Sequence, residues 1–554
     1  METSKVMNIE INSEKMNIEN VDFNALVQND KMYKSLLKSQ EIAYFTRLTR
    51  LIGQMDSVKK IIECMEEPDY SIIYWGNKEK VLNRIRELRE LIEKTSDPKK
   101  KENYRDELRK YEPGIDVKYA ILIDMMLKTA EEMNLGFGIN NTFPYFYNGC
   151  YWEIMMEEVA KEILVLIAQN CGFNYYDMRS ASNTKKLYEQ FCVTSYIPEP
   201  PKKSGVVKIN FKNGRLTIKN GQPTFEKGVF TNKDYFKYQL DFDFNPGAKA
   251  EKFFKYLNRV LPEKEAQMVI AEYLGYIFTD IKMEKCLVLV GPGHSGKSVL
   301  HDIVYAMLGD GNVLSYTLSN LCDPNGYYRA HLGNVLLNYC SELGGKGSNP
   351  DMVKQLISGE PVSCRSPYGS PLILKNYCKF MFNTNLIPHD TEKTNAYFRR
   401  FIFVPFDKVI SKEERNVNLA KEIIKEEMSG VFNWVLDGLD RFMKNGNFTE
   451  SKHINDAMEE IKRDADSVRE FMEDSYTTSL DKHETLKELY GEYRDFCADN
   501  GYKCSSNREF SRRLKEIGYF VEGGHTNNAT WVFCKRKGDL EDSEIDTFIS
   551  DNMK

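Results

Sequence analysis

Gly291-Pro-Gly-His-Ser-Gly-Lys-Ser298 stands between the apolar run Lys285-Cys-Leu-Val-Leu-Val290 and Val299-Leu-His-Asp-Ile-Val-Tyr-Ala-Met307. The pattern predicts a buried strand, a glycine-rich turn and a helix. The turn fits G-x-x-x-x-G-K-[ST], a loop that cradles phosphate. Its glycines let the backbone curl so that N–H groups converge, and the helix N-terminus adds partial positive charge. Gly291, Gly293, Ser295, Gly296, Lys297, Ser298 and Val299 are therefore the candidate contacts to ATP, with Lys297 reaching the β/γ-phosphates and Ser298 on Mg²⁺. The bland alternative is a tight turn with an incidental lysine. The flanking strand and helix argue against it.

The chain has 554 residues, too many for one core, so two to four domains are expected. Hydrophobic content of 42% and charged content of 29% are those of a globular protein. A net charge of −6 excludes a uniformly basic coat but not a local basic channel for nucleic acid. The twelve cysteines show no C-x-x-C spacing, so neither a zinc ribbon nor a redox pair is readable. Reduced thiols, no apolar leader and no run near about 18 apolar residues predict a cytoplasmic protein that spans no membrane.

Residues 1–35 are polar and expected to be loose. A helical region follows over 36–115, where Val81, Leu82, Ile85, Leu88, Leu91 and Ile92 share one helix face. Ser96-Asp-Pro98 breaks that helix, with Asp97 or Ser96 placed to cap the next. A mixed α+β region runs over 116–250, with a hairpin expected across Tyr145–Trp152 and another around Asn213-Gly214. In Leu240-Asp-Phe-Asp-Phe244, two carboxylates on one strand face suit a metal, but an ordinary exposed strand face fits as well. The helical stretch 248–280 leads into the loop. Beyond it, strands at Asn312–Tyr316, Asn334–Cys340, Lys379–Asn383 and Phe401–Pro405 alternate with other elements, the signature of a three-layer α/β core spanning 251–410.

A phosphate loop needs an acidic partner. Glu342, at the end of Asn334–Cys340, is the candidate to hold Mg²⁺ and orient water. Asn385, at the tip of the next strand, is a candidate γ-phosphate sensor, against the reading as a turn residue before Leu386-Ile-Pro388. Arg399 and Arg400 precede the last strand and suit developing phosphoryl charge, often supplied in trans.

This order of motifs, with Lys354-Gln-Leu-Ile-Ser-Gly-Glu-Pro-Val-Ser-Cys-Arg365 between acid and sensor, resembles the superfamily 3 (AAA+) helicases, nearest the poxvirus and phage/plasmid primase-helicases. Upstream, Phe211-Lys-Asn-Gly214, Asp241–Pro246 and Glu272-Tyr-Leu-Gly-Tyr276 look like that family's lead-in domain. The resemblance implies an AAA+-like P-loop ATPase, a hexameric ring, ATP hydrolysis between subunits, and translocation on single-stranded DNA. The intervening motif would form a hairpin whose Lys354, Arg365, Tyr368 and Lys375 touch DNA, the competing reading being plain hairpin surface. The acid pair usual in the family is Ser341-Glu342 here, Glu360 replaces an Asp, and no primase signature or zinc-binding cysteine set is present, so priming activity is not implied.

Residues 411–480 read as a helical linker. Over 481–537, a helix, a second helix carrying Arg508, Arg512 and Arg513, and two strands around a polar turn make a C-terminal winged helix, for double-stranded DNA or for protein. Residues 538–554 form an acidic tail. Replication proteins of a host or mobile element are the expected partners. Two readings compete with a ring helicase: a P-loop small-molecule kinase, for which no lid is evident, and a nucleotide-switched origin-binding or loader protein.

Overall fold

The computed structural model describes residues 55–140, 143–198, 205–344, 349–366, 371–385, 395–464, 466–502, 504–523 and 529–537. The residues read as a loose N-terminus and as an acidic tail lie outside these. The chain divides into two compact units, Met1–Asn148 with Ile154–Pro198, and Gly149–Glu153 with Glu199–Lys554.

The first unit is mainly helical around its own core of Val58, Ile61, Leu122, Met126, Ile163, Leu166 and Phe191. The expected helical hairpin is formed by Glu79–Lys94 and Pro98–Arg109, where the Asp97 carboxylate accepts from the Lys99 amide and Pro98 opens the helix. The strand Phe143–Tyr147 pairs antiparallel with Gly136–Asn140. That partner escapes a pattern search because its two glycines and Asn140 break the apolar alternation.

The second unit is organised around five parallel strands: β1 (Cys286–Val290), β2 (Val313–Leu314), β3 (Leu337–Cys340), β4 (Lys379–Thr384) and β5 (Phe401–Pro405), in the spatial order β5-β1-β4-β3-β2. Both faces are covered, so these strands are continuous apolar runs and their side chains sort by parity. Leu287, Leu289, Met381, Ile402 and Val404 enter one core. Cys286, Val288, Phe380, Phe382, Phe401 and Phe403 enter the other. Truncating Leu287 or Leu289 to alanine would cost about 2–5 kcal/mol through lost transfer energy and the cavity left behind.

The first core also takes α1 (Glu251–Val260), α2 (Lys264–Tyr276), α3 (Lys297–Leu308) and α4 (Leu419–Asn445). The stretch read as a linker thus contributes a core helix: Val431, Phe432, Val435, Leu439 and Phe442 of α4 are buried there. α2 and α4 cross at backbone contact. A Cβ on Gly275 would lie 2.8 Å from the Leu439 backbone, and one on Gly438 2.3 Å from the Ala271 carbonyl carbon. The Glu272 carboxylate is fully buried at this crossing, accepting from Arg441 Nε (3.2 Å) and the Thr449 amide (2.7 Å). The motif Glu272-Tyr-Leu-Gly-Tyr276 therefore has a packing explanation.

Upstream, Val206–Phe211, Gly214–Lys219 and Gln222–Lys227 form a three-stranded antiparallel sheet, with Lys212 and Asn213 as the first turn. Leu240–Phe244 is not the expected strand. Only Leu240 makes an isolated bridge to Phe211, and the exposed Asp241 pairs with Lys212 (3.0 Å). The segment is held instead by Phe242 and Phe244 packing on Phe211.

The C-terminal part has its own core of Phe471, Tyr493, Phe510, Leu514 and Val532. It contains β6 (Tyr476–Thr478), β7 (Glu484–Thr485), α5 (Leu486–Asp499), α6 (Asn507–Glu516), β8 (Val521–Gly523), β9 (Thr530–Val532) and β10 (Cys534–Arg536). β9 lies between β7 and β8, and β6 pairs with β10, all antiparallel.

Candidate functional site

β1 ends where the glycine-rich loop begins, and α3 starts at Lys297. Register puts the loop at the carboxyl edge of the sheet: Val290 is level with Thr384 of β4 and Pro405 of β5, and the Gly291 amide donates to Thr384 O (3.3 Å). Gly296, at φ +94°, closes the turn, and a Cβ there would meet Val260 Cγ1 at 2.7 Å. The Tyr256 hydroxyl fixes the turn from α1 by donating to Gly296 O (2.8 Å).

The Lys297 ammonium folds back over the loop. It donates to Gly291 O (2.6 Å), Pro292 O (2.9 Å) and Ser295 Oγ (3.1 Å). All three acceptors are neutral, and burial lowers the lysine's pKa. A desolvated ammonium on uncharged acceptors gains most when an anion arrives.

A cavity of about 720 Å³ opens beside the loop. It is lined by Gly293, Ser295, Gly296, Lys297, Ser298 and Val299, by Ser341 and Asn385 from the strand ends, and by Tyr256 and Val260. Its far side comes from Ile410, Arg415, Asn416 and Leu419. Ion pairs Arg259–Glu414 (2.6 Å) and Lys252–Glu422 (3.3 Å) bridge α1 to the segment after β5.

Asn383 also lines this cavity and was missed in the sequence. Its amide oxygen accepts from the Tyr339 hydroxyl of β3 (2.9 Å), and burial keeps that phenol protonated. A polar residue inside the apolar run of β4 was the available signal.

Glu342, expected beside the loop in the same chain, is elsewhere, and the arginines expected to act in trans are set apart from the loop of their own chain. Glu342 is exposed and is not among the residues lining the cavity, whereas its neighbour Ser341 is. Arg399 and Arg400 lie at the opposite edge of the sheet, since Phe401 is in register with Cys286, the first residue of β1. Four strand rises put them roughly 13 Å below the loop. Arg400 is mostly buried and donates to Ser358 Oγ (3.0 Å), whereas the Arg399 side chain is exposed.

The intervening motif does form a hairpin, Val362–Cys364 with Leu372–Leu374. Tyr368 lies outside the described residues. Arg365 is engaged by Asn325 (3.2 Å) and lies over the Tyr327 ring (5.3 Å). Lys354 pairs with Asp351 (2.8 Å). Lys375 borders a small pocket with Lys282, Lys285 and Tyr377.

On α6, Arg512 is held by Glu509 and Glu516. Arg513 pairs with the buried Asp466 (2.6 Å), which also caps the helix Ser467–Ser475. Arg508 is exposed and makes no ion pair among the described residues.

Comparisons with known proteins place matches on these same regions. Residues 289–400, which contain the loop and Arg399–Arg400, match a family of unknown function (DUF5906). Residues 463–549 match the poxvirus D5 protein-like family. Among solved structures, the chain is similar to the apo C-terminal region of NrS-1, at 13% identity over 60% of this chain and 96% of that one, with a TM-score of 0.33. A second form of that region gives 14% identity over the same shares and the same TM-score. Among the described residues, no helix is long and apolar enough to cross a membrane.

Proposed function

We propose that this chain is an ATP-dependent DNA helicase acting in replication of a virus, phage, plasmid or other mobile element. The observation that carries the reading is the cavity at the carboxyl edge of the parallel sheet, where Lys297 and Ser298 face Asn383 and Asn385. The loop amides and Lys297 would hold the phosphates of ATP, and Asn383 and Asn385 offer amides toward its γ-phosphate end. Among the described residues no three His, Cys, Asp or Glu side chains converge as metal ligands. Ser298 together with phosphate oxygens is the fitting set for Mg²⁺, an ion that commonly keeps few protein ligands. The bound metal would neutralise phosphate charge.

Arg399, exposed at the opposite edge, is the better candidate for an arginine supplied to a neighbouring copy, which fits a hexameric ring. Arg400 is occupied within its own chain. The C-terminal α5–α6–β8–β9 arrangement is read as a winged helix.

The exposed position of Glu342 favours one second reading, a nucleotide-switched origin-binding or loader protein. ATP hydrolysis measured with and without single-stranded DNA, alongside sizing of the assembled particle, separates the two. Stimulated turnover in a ring supports the helicase. ATP binding without turnover, unaltered by Glu342→Gln, overturns it in favour of the switch.

A further inference from the structure

The cavity beside the loop has two unlike ends, because β5 and β4 flank β1 on opposite sides. The segment after β5 brings the apolar side chains of Ile410, Val417 and Leu419 to one end. The ends of β4 and β3 bring Ser341, Asn383 and Asn385 to the other, all polar and uncharged. A nucleotide whose phosphates lie along the loop between them sets its base at the apolar end and its last phosphate at the polar end.

Within the polar end, Ser341 and Asn385 are exposed and free to turn, whereas Asn383 is only 5% exposed. Its side chain shares a sheet face with that of Tyr339, since Tyr339 is level with Met381, two residues before Asn383. Tyr339 is fully buried, with the His301 ring of α3 4.7 Å away. Its hydroxyl has one hydrogen-bond partner among the described residues, Asn383 Oδ1 at 2.9 Å. Burial holds that phenol in its protonated form, so a hydroxyl proton has to be placed.

This decides which way the amide faces. Were it turned over, its nitrogen would donate to the phenol oxygen and the phenol proton would be left buried without an acceptor. With the amide oxygen held toward β3, the amide nitrogen has no partner among the described residues and is left for the cavity. An amide nitrogen only donates. It suits an anionic oxygen and cannot take a proton from water.

We propose that Tyr339 is a positioning residue that holds the Asn383 amide as a donor to the γ-phosphate, so that this pair lets the site tell a nucleoside triphosphate from a diphosphate. The inference rests on the reading of the cavity as an ATP site, and it holds whether the nucleotide drives unwinding or a switch.

The test uses the full chain with Mg²⁺ and measures the affinities of ADP and of a non-hydrolysable imido analogue of ATP by displacement of a fluorescent nucleotide. Asn383→Ala should weaken the analogue roughly tenfold to a hundredfold and leave ADP unchanged. Tyr339→Phe removes one hydroxyl and keeps the ring against His301. It should weaken the analogue alone, by about threefold to tenfold. The double variant should bind the analogue no worse than Asn383→Ala, because the hydroxyl acts only through the amide. A merely structural role would weaken both nucleotides together and lower the melting temperature. The proposal falls if Asn383→Ala binds the analogue as the wild type does, if ADP is weakened equally, or if the two losses add. Lys297→Ala reports on the loop separately. It should weaken both nucleotides, and normal binding of both by that variant would sink the loop assignment instead.

Discussion

The loop at Lys297 and the helix α6 were both read as cationic sites, yet their cations are held in opposite ways. Lys297 is buried on two carbonyls and a hydroxyl, all neutral. Arg512 and Arg513 are on the surface or near it and are taken up by Glu509, Glu516 and Asp466. A cation resting on neutral acceptors exchanges them for an anion at little cost. A cation in a carboxylate network must first leave an ion pair, and its removal strands the partner. The number of basic residues in a stretch therefore says less about ligand binding than the charge of what already holds them.

The largest expected effect comes from the loop. Lys297→Ala should reduce ATP hydrolysis by a hundredfold or more, as expected when a positioned charge on transferring phosphate is lost. The melting temperature should barely move, because the three acceptors left behind can turn to water. A variant that hydrolyses ATP normally would break the contrast at its stronger end.

Arg513→Ala should act on folding instead. Asp466 is 5% exposed and would keep its cap bonds to Val468 and Arg469 but lose its countercharge. A loss of about 1–3 kcal/mol is expected in denaturant unfolding of the C-terminal part. Duplex DNA affinity per folded molecule should not change. A DNA defect without a stability defect would show that Arg513 is a contact after all.

The smallest effect sharpens the comparison within α6. Arg508, exposed and without an ion pair among the described residues, is the one arginine of the three free to meet phosphate. Arg508→Ala should weaken duplex binding uniformly across sequences and reduce the salt slope by about 1. Arg512→Ala should leave that slope unchanged.

Much of the second unit was legible in the sequence because its signals are local. The run Cys286–Val290 followed by Gly291–Ser298 fixes a strand, a turn and a helix through backbone sterics and side-chain period alone. The Asp97 cap in the first unit and the two helices α5 and α6 in the second follow from equally short patterns. The structure added what depends on distant chain. Leu419–Asn445 reads as a linker until its apolar face meets α2, and Gly275 and Gly438 explain how closely. Asn383 looks like a flaw in a strand until Tyr339 is seen to hold it.

What the sequence determined by itself was the parallel α/β core, the loop that opens at the end of β1, and the residues on that loop. These are set by neighbours within a few positions. Tertiary structure alone decided which of the polar residues share a space. It brought Ser341, Asn383 and Asn385 to the cavity, left Glu342 outside, and put Arg399 at the far edge. The reason is register: where a side chain ends depends on how strands far apart in sequence are aligned, and no local pattern encodes that alignment.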